Sequence, residues 1–152
     1  MCGQDWQIVN GQKTGQSQSA CQGEGSNNYF IWNMPFEISL RSTNPTGWPQ
    51  ICISCFYSNI FGNEVLKAYG VCFVPTSPGI HERTLQMFSP ISSKFFDGIF
   101  GLFLGQKPEI RNAPAVLSTG EGREIMRTQS EGSMNIKFNI HLTNMKEFGY
   151  DV

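Results

Sequence analysis

The sequence predicts an all-β domain, and three observations support this. Its 152 residues include 16 glycines and 8 prolines, which suit many turns better than long helices. Between the turn signals, apolar residues alternate with polar ones or form short apolar runs, as half-buried and central strands do. The roughly seven strands expected from these patterns show no internal repeat, and such a series is typical of a β-sandwich.

Residues 1–28 are predicted to form a polar N-terminal arm or loop, because Gln, Gly, Ser and Asn dominate them. The apolar body begins at Tyr29, and residues 29–152 are predicted to form one domain. The run at 51–57 is apolar on both faces, which predicts a central strand. The expected strands are 36–40, 51–57, 65–74, 81–88, 124–129 and 134–142, the last two joined by a turn at 130–133.

The turn at 41–51 combines several local rules. Asn44 precedes Pro45 and is therefore disfavoured in helical conformation, while Gly47 accepts a positive φ without steric cost. Trp48 then lies between Gly47 and Pro49, which leaves its ring little freedom. These residues predict a hairpin corner whose tryptophan caps the core, and they also serve as a sequence signature.

The segment 91–106 interrupts the β pattern and is rich in phenylalanine. A serine at 92 or 93 could cap a short helical insert near 92–105. Two interpretations stay open, since the insert could fold down as a lid on the sandwich or present an apolar surface to a protein partner or a membrane. The candidate surface residues are Phe95, Phe96, Ile99, Phe100 and Phe103.

Composition and motif spacing argue against several classes of function. The net charge of −1, with 15% charged residues, indicates no strongly basic face that would attract the phosphates of a nucleic acid. Cys52 and Cys55 would point to opposite faces of a strand, so they would not chelate one metal ion. The chain has only three aspartates, none of them paired in a loop, which argues against a calcium site. No pattern for a catalytic triad occurs, so we predict no enzyme, no metal and no cofactor.

The five cysteines are an odd, irregular set that makes a poor disulfide framework, and no secretory signal or run of 18 apolar residues is visible. These features predict a cytoplasmic location.

Several strings in the chain resemble the B9 domain family. They are STNPTGWPQI at 42–51, FGNEV at 61–65, YG at 69–70, VPTSPG at 74–79, HERT at 81–84, GEGRE at 120–124 and GYD at 149–151. The resemblance implies a C2-like antiparallel β-sandwich of about seven to eight strands. Family members carry a further strand region at the N-terminus, so the first strand or strands of the sandwich are expected to be missing here.

The resemblance further implies a non-enzymatic scaffold of the ciliary transition zone, near the basal body and the cytoskeleton. Its expected partners are other B9-domain proteins and members of the tectonic complex. By the same resemblance, that assembly is expected to support cilium formation, Hedgehog signalling and the barrier to membrane proteins. The alternative hypothesis is a peripheral C2-like module that binds lipid independently of calcium.

Overall fold

The computed structural model describes residues 5–23, 29–90 and 128–149. Within these residues the chain forms six β-strands and one 3-10 helix, η1 (Lys146–Phe148). The strands are β1 (Gln7–Gly11), β2 (Ile38–Arg41), β3 (Gln50–Ser58), β4 (Glu64–Phe73), β5 (Gly79–Pro90) and β6 (Thr128–Ile140). The chain divides into two compact units between Gly47 and Trp48.

The N-terminal unit contains an antiparallel pair, β1 and β2, in which Gln7 lies opposite Arg41 and Gly11 opposite Ile38. Gly11 has a φ of 94°, and a Cβ at this position would meet the backbone oxygen of Glu37. Strand β1 lies inside the stretch predicted as an arm or loop. That prediction overlooked the strand because its side chains are all exposed, so no apolar alternation marks it.

The second unit contains a four-stranded antiparallel sheet in the order β3-β4-β5-β6. The expected strands at 51–57, 65–74 and 81–88 are found with small changes in their bounds. Among the described strands, β4 and β5 rather than β3 hold the central places. The described residues are therefore all-β in two antiparallel sheets, consistent with the predicted C2-like β-sandwich. The predicted helical insert near 92–105 lies outside the described residues.

Both faces of the four-stranded sheet carry apolar side chains, which explains the apolar pattern of β3. On one face Leu66 and Tyr69 are buried, with Cys52, Val71 and Phe88 packed against them. The other face has its own cluster, whose buried members are Ala68, Leu85 and Met87 and whose flanking members are Ile53, Cys55, Cys72, Met134 and Ile136. A strand that contributes to both clusters needs apolar residues at even and odd positions alike.

Strand β6 runs without a break through 130–133, where the sequence predicted a turn between two strands. The prediction of a turn there was wrong because Ser, Glu and Gly are common turn residues, whereas here they pair with β5. Ser130 lies opposite Phe88 and Gly132 opposite Met87, so Glu131 is the extra residue of a β-bulge. Gly132 has a φ of 112°, which a glycine adopts at low cost.

A second bulge occurs in β4, where Lys67 has no counterpart between Cys55 and Phe56 of β3. The Lys67 ammonium lies 2.6 Å from a carboxylate oxygen of Glu131. The hydroxyl of Ser89, in the strand between them, donates to the other carboxylate oxygen at 2.9 Å. The two bulges thus direct an ion pair across β5, and the buried Ser89 finds its acceptor there.

Candidate functional site

The N-terminal half of the signature turn is fixed by hydrogen bonds to side chains. The hydroxyl of Ser42 accepts from the backbone N–H of Asn44, and the Asn44 side-chain oxygen accepts from the N–H of Thr46 at 3.0 Å. The Asn44 amide also donates to the carboxylate of Asp5, while the indole of Trp6 donates to the carbonyl of Thr46. This half of the turn is therefore attached to the N-terminal segment of its own unit.

The C-terminal half of the turn belongs to the second unit. The indole N–H of Trp48 donates to the carbonyl oxygen of Val74 at 2.8 Å, and the N–H of Val74 donates to the carbonyl of Pro49 at 3.0 Å. Trp48 is half-buried and Pro49 is buried. Gly47, at the boundary between the units, has a φ of 71°. Through these contacts the signature residues stabilise the backbone conformation of the turn.

Three partly buried cysteines, Cys52, Cys55 and Cys72, lie on β3 and β4, and none of the three forms a disulfide bond. Cys52 packs on the Leu66 face and Cys55 on the opposite face, as expected for residues three apart in a strand. Burial raises the pKa of the Cys55 thiol. Burial also raises the pKa of Cys72, Cys52 adds to that rise, and Arg83 opposes it. A raised pKa keeps a thiol protonated near neutral pH, which makes it a poor nucleophile.

An open depression of about 340 Å³ lies beside η1. Its lining combines polar and apolar residues, namely Pro78, Leu142, Asn144, Met145, Lys146 and Glu147.

No group of three or more potential metal ligands comes together in the described ranges 5–23, 29–90 and 128–149. In those same ranges, no helix has the length and apolar character that crossing a bilayer requires.

The five residues predicted as an apolar partner or membrane surface, Phe95, Phe96, Ile99, Phe100 and Phe103, lie outside the described residues. Their role stays a prediction from the sequence. Among the exposed apolar side chains of the described chain are two further groups that the sequence interpretation did not single out.

The first group lies in the N-terminal unit between Tyr29 and Phe36, where the sequence suggested the start of the apolar body. Six large apolar side chains in this stretch are each 40–78% exposed, namely Tyr29, Phe30, Ile31, Trp32, Met34 and Phe36. The rings of Phe30 and Trp32 stack with their centroids 6.0 Å apart. Aromatic residues at such density are usually core, so composition alone gave no sign of this exposure.

The second group lies in the loop between β3 and β4, residues 59–63, which we call the β3–β4 tip. Ile60 and Phe61 point into solvent and are 94% and 72% exposed. The oxygen atoms of Asn59 anchor the loop by accepting backbone N–H bonds, and Gly62 has a φ of 79°. Gly62 and Asn63 form a pair that is typical of turns between strands. The signal for an exposed site was two large apolar residues inside that turn.

The family model described as "Ciliary basal body-associated, B9 protein" matches residues 1–141 of the chain. The chain belongs to the B9 family. The resemblance seen in its sequence strings is thereby confirmed. This B9 protein is 41% identical to B9 domain-containing protein 1 of Mus musculus over 149 residues, which is 98% of the chain and 72% of that protein.

Other relatives show the same relationship. B9 domain-containing protein 1 of Homo sapiens is 40% identical over 98% of the chain and 72% of its own length. B9 domain-containing protein 2 of Homo sapiens is 26% identical over 98% of the chain and 83% of its own length. No solved structure matches the chain. Because the family is described by its association with the ciliary basal body, the chain is a cilium-associated B9 protein.

Proposed function

We propose that this B9 protein is a non-enzymatic scaffold component of a tectonic-like complex at the ciliary transition zone. In that role it supports cilium assembly and the barrier that controls entry of membrane proteins. The observation that carries the proposal is family membership across nearly the whole chain, with 40–41% identity to B9 domain-containing protein 1 of several species.

The described structure supplies surfaces that a scaffold protein would use. Its four-stranded sheet carries apolar clusters on both faces, and Asn59 ties the backbone of the β3–β4 tip by accepting two N–H bonds. The exposed aromatic stretch between Tyr29 and Phe36 offers large apolar side chains of the kind enriched at protein interfaces. The phenylalanine-rich segment 91–106 is a further candidate on the basis of its sequence.

The proposed partners are other B9-domain proteins and members of the tectonic complex. A tagged copy of the chain, expressed in ciliated mouse cells at about the level of their own B9 domain-containing protein 1, is expected to co-purify with B9 domain-containing protein 2. The matched control is a tagged β-sandwich of similar size from outside the B9 family, expressed to the same level. Quantitative mass spectrometry then gives the enrichment over that control.

Two outcomes of this experiment differ in meaning. Enrichment of other B9-domain proteins at stable ratios supports a scaffold role. If the chain purifies without any B9-domain protein from cells that are assembling cilia, the proposed role in a complex is contradicted.

A further inference from the structure

The β3–β4 tip displays two large apolar side chains that make almost no contact with the described chain. Ile60 is 94% exposed and Phe61 is 72% exposed. They are adjacent, and they lie at the end of the described four-stranded sheet, which carries both apolar clusters. Exposing two such side chains on a held loop is unfavourable in water unless something covers them.

Four of the five backbone N–H groups of the tip are hydrogen-bonded within the loop. The side-chain oxygen of Asn59 accepts from the N–H groups of Phe61 at 3.0 Å and Asn63 at 2.9 Å. The Asn59 carbonyl accepts from the N–H of Gly62, and the Asn59 N–H donates to the carbonyl of Asn63, both at 2.9 Å. An apolar environment penalises unpaired N–H groups heavily, so a loop in which most of these donors are paired enters it at a lower cost.

The tip also lacks charge. None of residues 59–63 is charged, and the nearest charge is the exposed Glu64, which follows them at the start of β4 opposite Ser58. The Asn59 side chain is already committed to the loop. An acidic or basic partner would therefore find no complementary charge within the tip, whereas the uncharged hydrocarbon of a bilayer needs none. Tyr57, partly exposed at the end of β3, supplies a ring with a polar hydroxyl, which favours the level of lipid headgroups.

The size of the patch fits a bilayer better than a protein. Two side chains of this size offer on the order of 300 Å². Each partner in a stable protein complex buries about 800 Å². A bilayer sets no such minimum, because each buried apolar group adds to partitioning on its own.

We infer that the β3–β4 tip inserts into the interfacial region of a lipid bilayer, with Ile60 and Phe61 as the inserted side chains. The contact is weak and reversible, requires no calcium and is indifferent to the charge of the lipid. It stands independently of the ciliary role, since it depends only on the geometry and chemistry of the loop.

The test is flotation of the full chain with vesicles of phosphatidylcholine alone, over a range of lipid concentrations. The test variant carries Ile60→Ser and Phe61→Ser together. The matched control carries Phe73→Ser and Ile80→Ser, which remove an exposed phenylalanine and isoleucine (63% and 82% exposed) at the opposite end of the same sheet. Thermal melts establish that both variants fold as the unmodified chain does.

The tip variant is expected to lower the partition coefficient about tenfold or more, and the control variant less than about twofold. Addition of a calcium chelator or of salt should leave both values unchanged. The inference is overturned if the unmodified chain stays unbound at millimolar phosphatidylcholine or binds only anionic vesicles. It is equally overturned if both variants lose binding alike, or if the tip variant instead abolishes self-association measured by sedimentation.

Discussion

Leu66→Ala is expected to lower the free energy of unfolding by about 2–5 kcal/mol, the largest effect of any single truncation considered for this chain. Leu66 is 2% exposed and forms a buried cluster with Tyr69, against which Cys52, Val71 and Phe88 pack. Alanine removes apolar contacts from this cluster and leaves a cavity. The sheet relaxes only partly around such a cavity, because β4 is paired along most of its length with β3.

Thermal and urea unfolding of the purified variant measure this loss. Leu66→Met conserves most of the volume and is expected to cost less than about 1.5 kcal/mol. Ile80→Ala, at an exposed position of β5, should stay within about 0.5 kcal/mol of the unmodified chain. A loss below about 1 kcal/mol for Leu66→Ala, which is under the range for buried leucines, would contradict the packing described around β4.

Glu131→Ala is expected to lower the free energy of unfolding by about 1–3 kcal/mol, because it leaves the buried hydroxyl of Ser89 without its acceptor. Glu131 itself is largely buried, with 12% of its side chain exposed, whereas its partner Lys67 is 49% exposed. Removing the lysine leaves a carboxylate without its cation in a poorly hydrated position. Removing the carboxylate charge leaves an ammonium that water can still hydrate.

The difference in burial between Glu131 and Lys67 predicts the order in which three substitutions lower the free energy of unfolding. Glu131→Gln keeps an oxygen for Ser89 and loses only the charge, so it should cost the least, about 0–1 kcal/mol. Lys67→Ala should cost more than Glu131→Gln, and Glu131→Ala should cost the most. Urea unfolding of the three variants, with Ser89→Ala in a double-mutant cycle with Glu131→Ala, tests the ordering. Equal small losses for all three would show that the two bulges are not coupled through this ion pair.

The strands that the sequence predicted well are those whose signal is local. Residues 51–57, 65–74 and 81–88 each combine a run or alternation of apolar residues with a turn at one end, and each became a strand. Strand β1 was missed because its residues are exposed and are held by pairing with β2, about thirty residues away in the chain. Long-range pairing of this kind leaves no period in the sequence.

The error at 130–133 has a related cause. Ser130, Glu131 and Gly132 are turn residues by local preference, yet their backbone groups pair with β5 and the excess residue is taken up as a bulge. Nothing local distinguishes a bulge from a turn. The distant partners, Lys67 on β4 and Ser89 on β5, decide the outcome by binding the Glu131 carboxylate.

In the candidate sites, too, the local signals could be predicted from the sequence and the long-range contacts could not. Asn44, Pro45, Gly47, Trp48 and Pro49 identified a constrained turn from the sequence, but the hydrogen-bond partners Asp5, Trp6 and Val74 lie 26–40 residues away and could not be predicted. At the β3–β4 tip, the Gly-Asn pair indicated a turn. Only the structure shows that Ile60 and Phe61 are outside the core, because burial depends on where the sheet ends.

The most direct measurement of the proposed function is the position of the chain in living ciliated cells. A fluorescently tagged copy should be expressed in mouse cells that lack B9 domain-containing protein 1, and imaged at super-resolution with markers for the basal body and the axoneme. A scaffold of the transition zone is expected to concentrate in the short region between the two markers and to restore cilia there. A diffuse cytosolic signal in these cells, or one spread along the whole cilium, would contradict the proposed function.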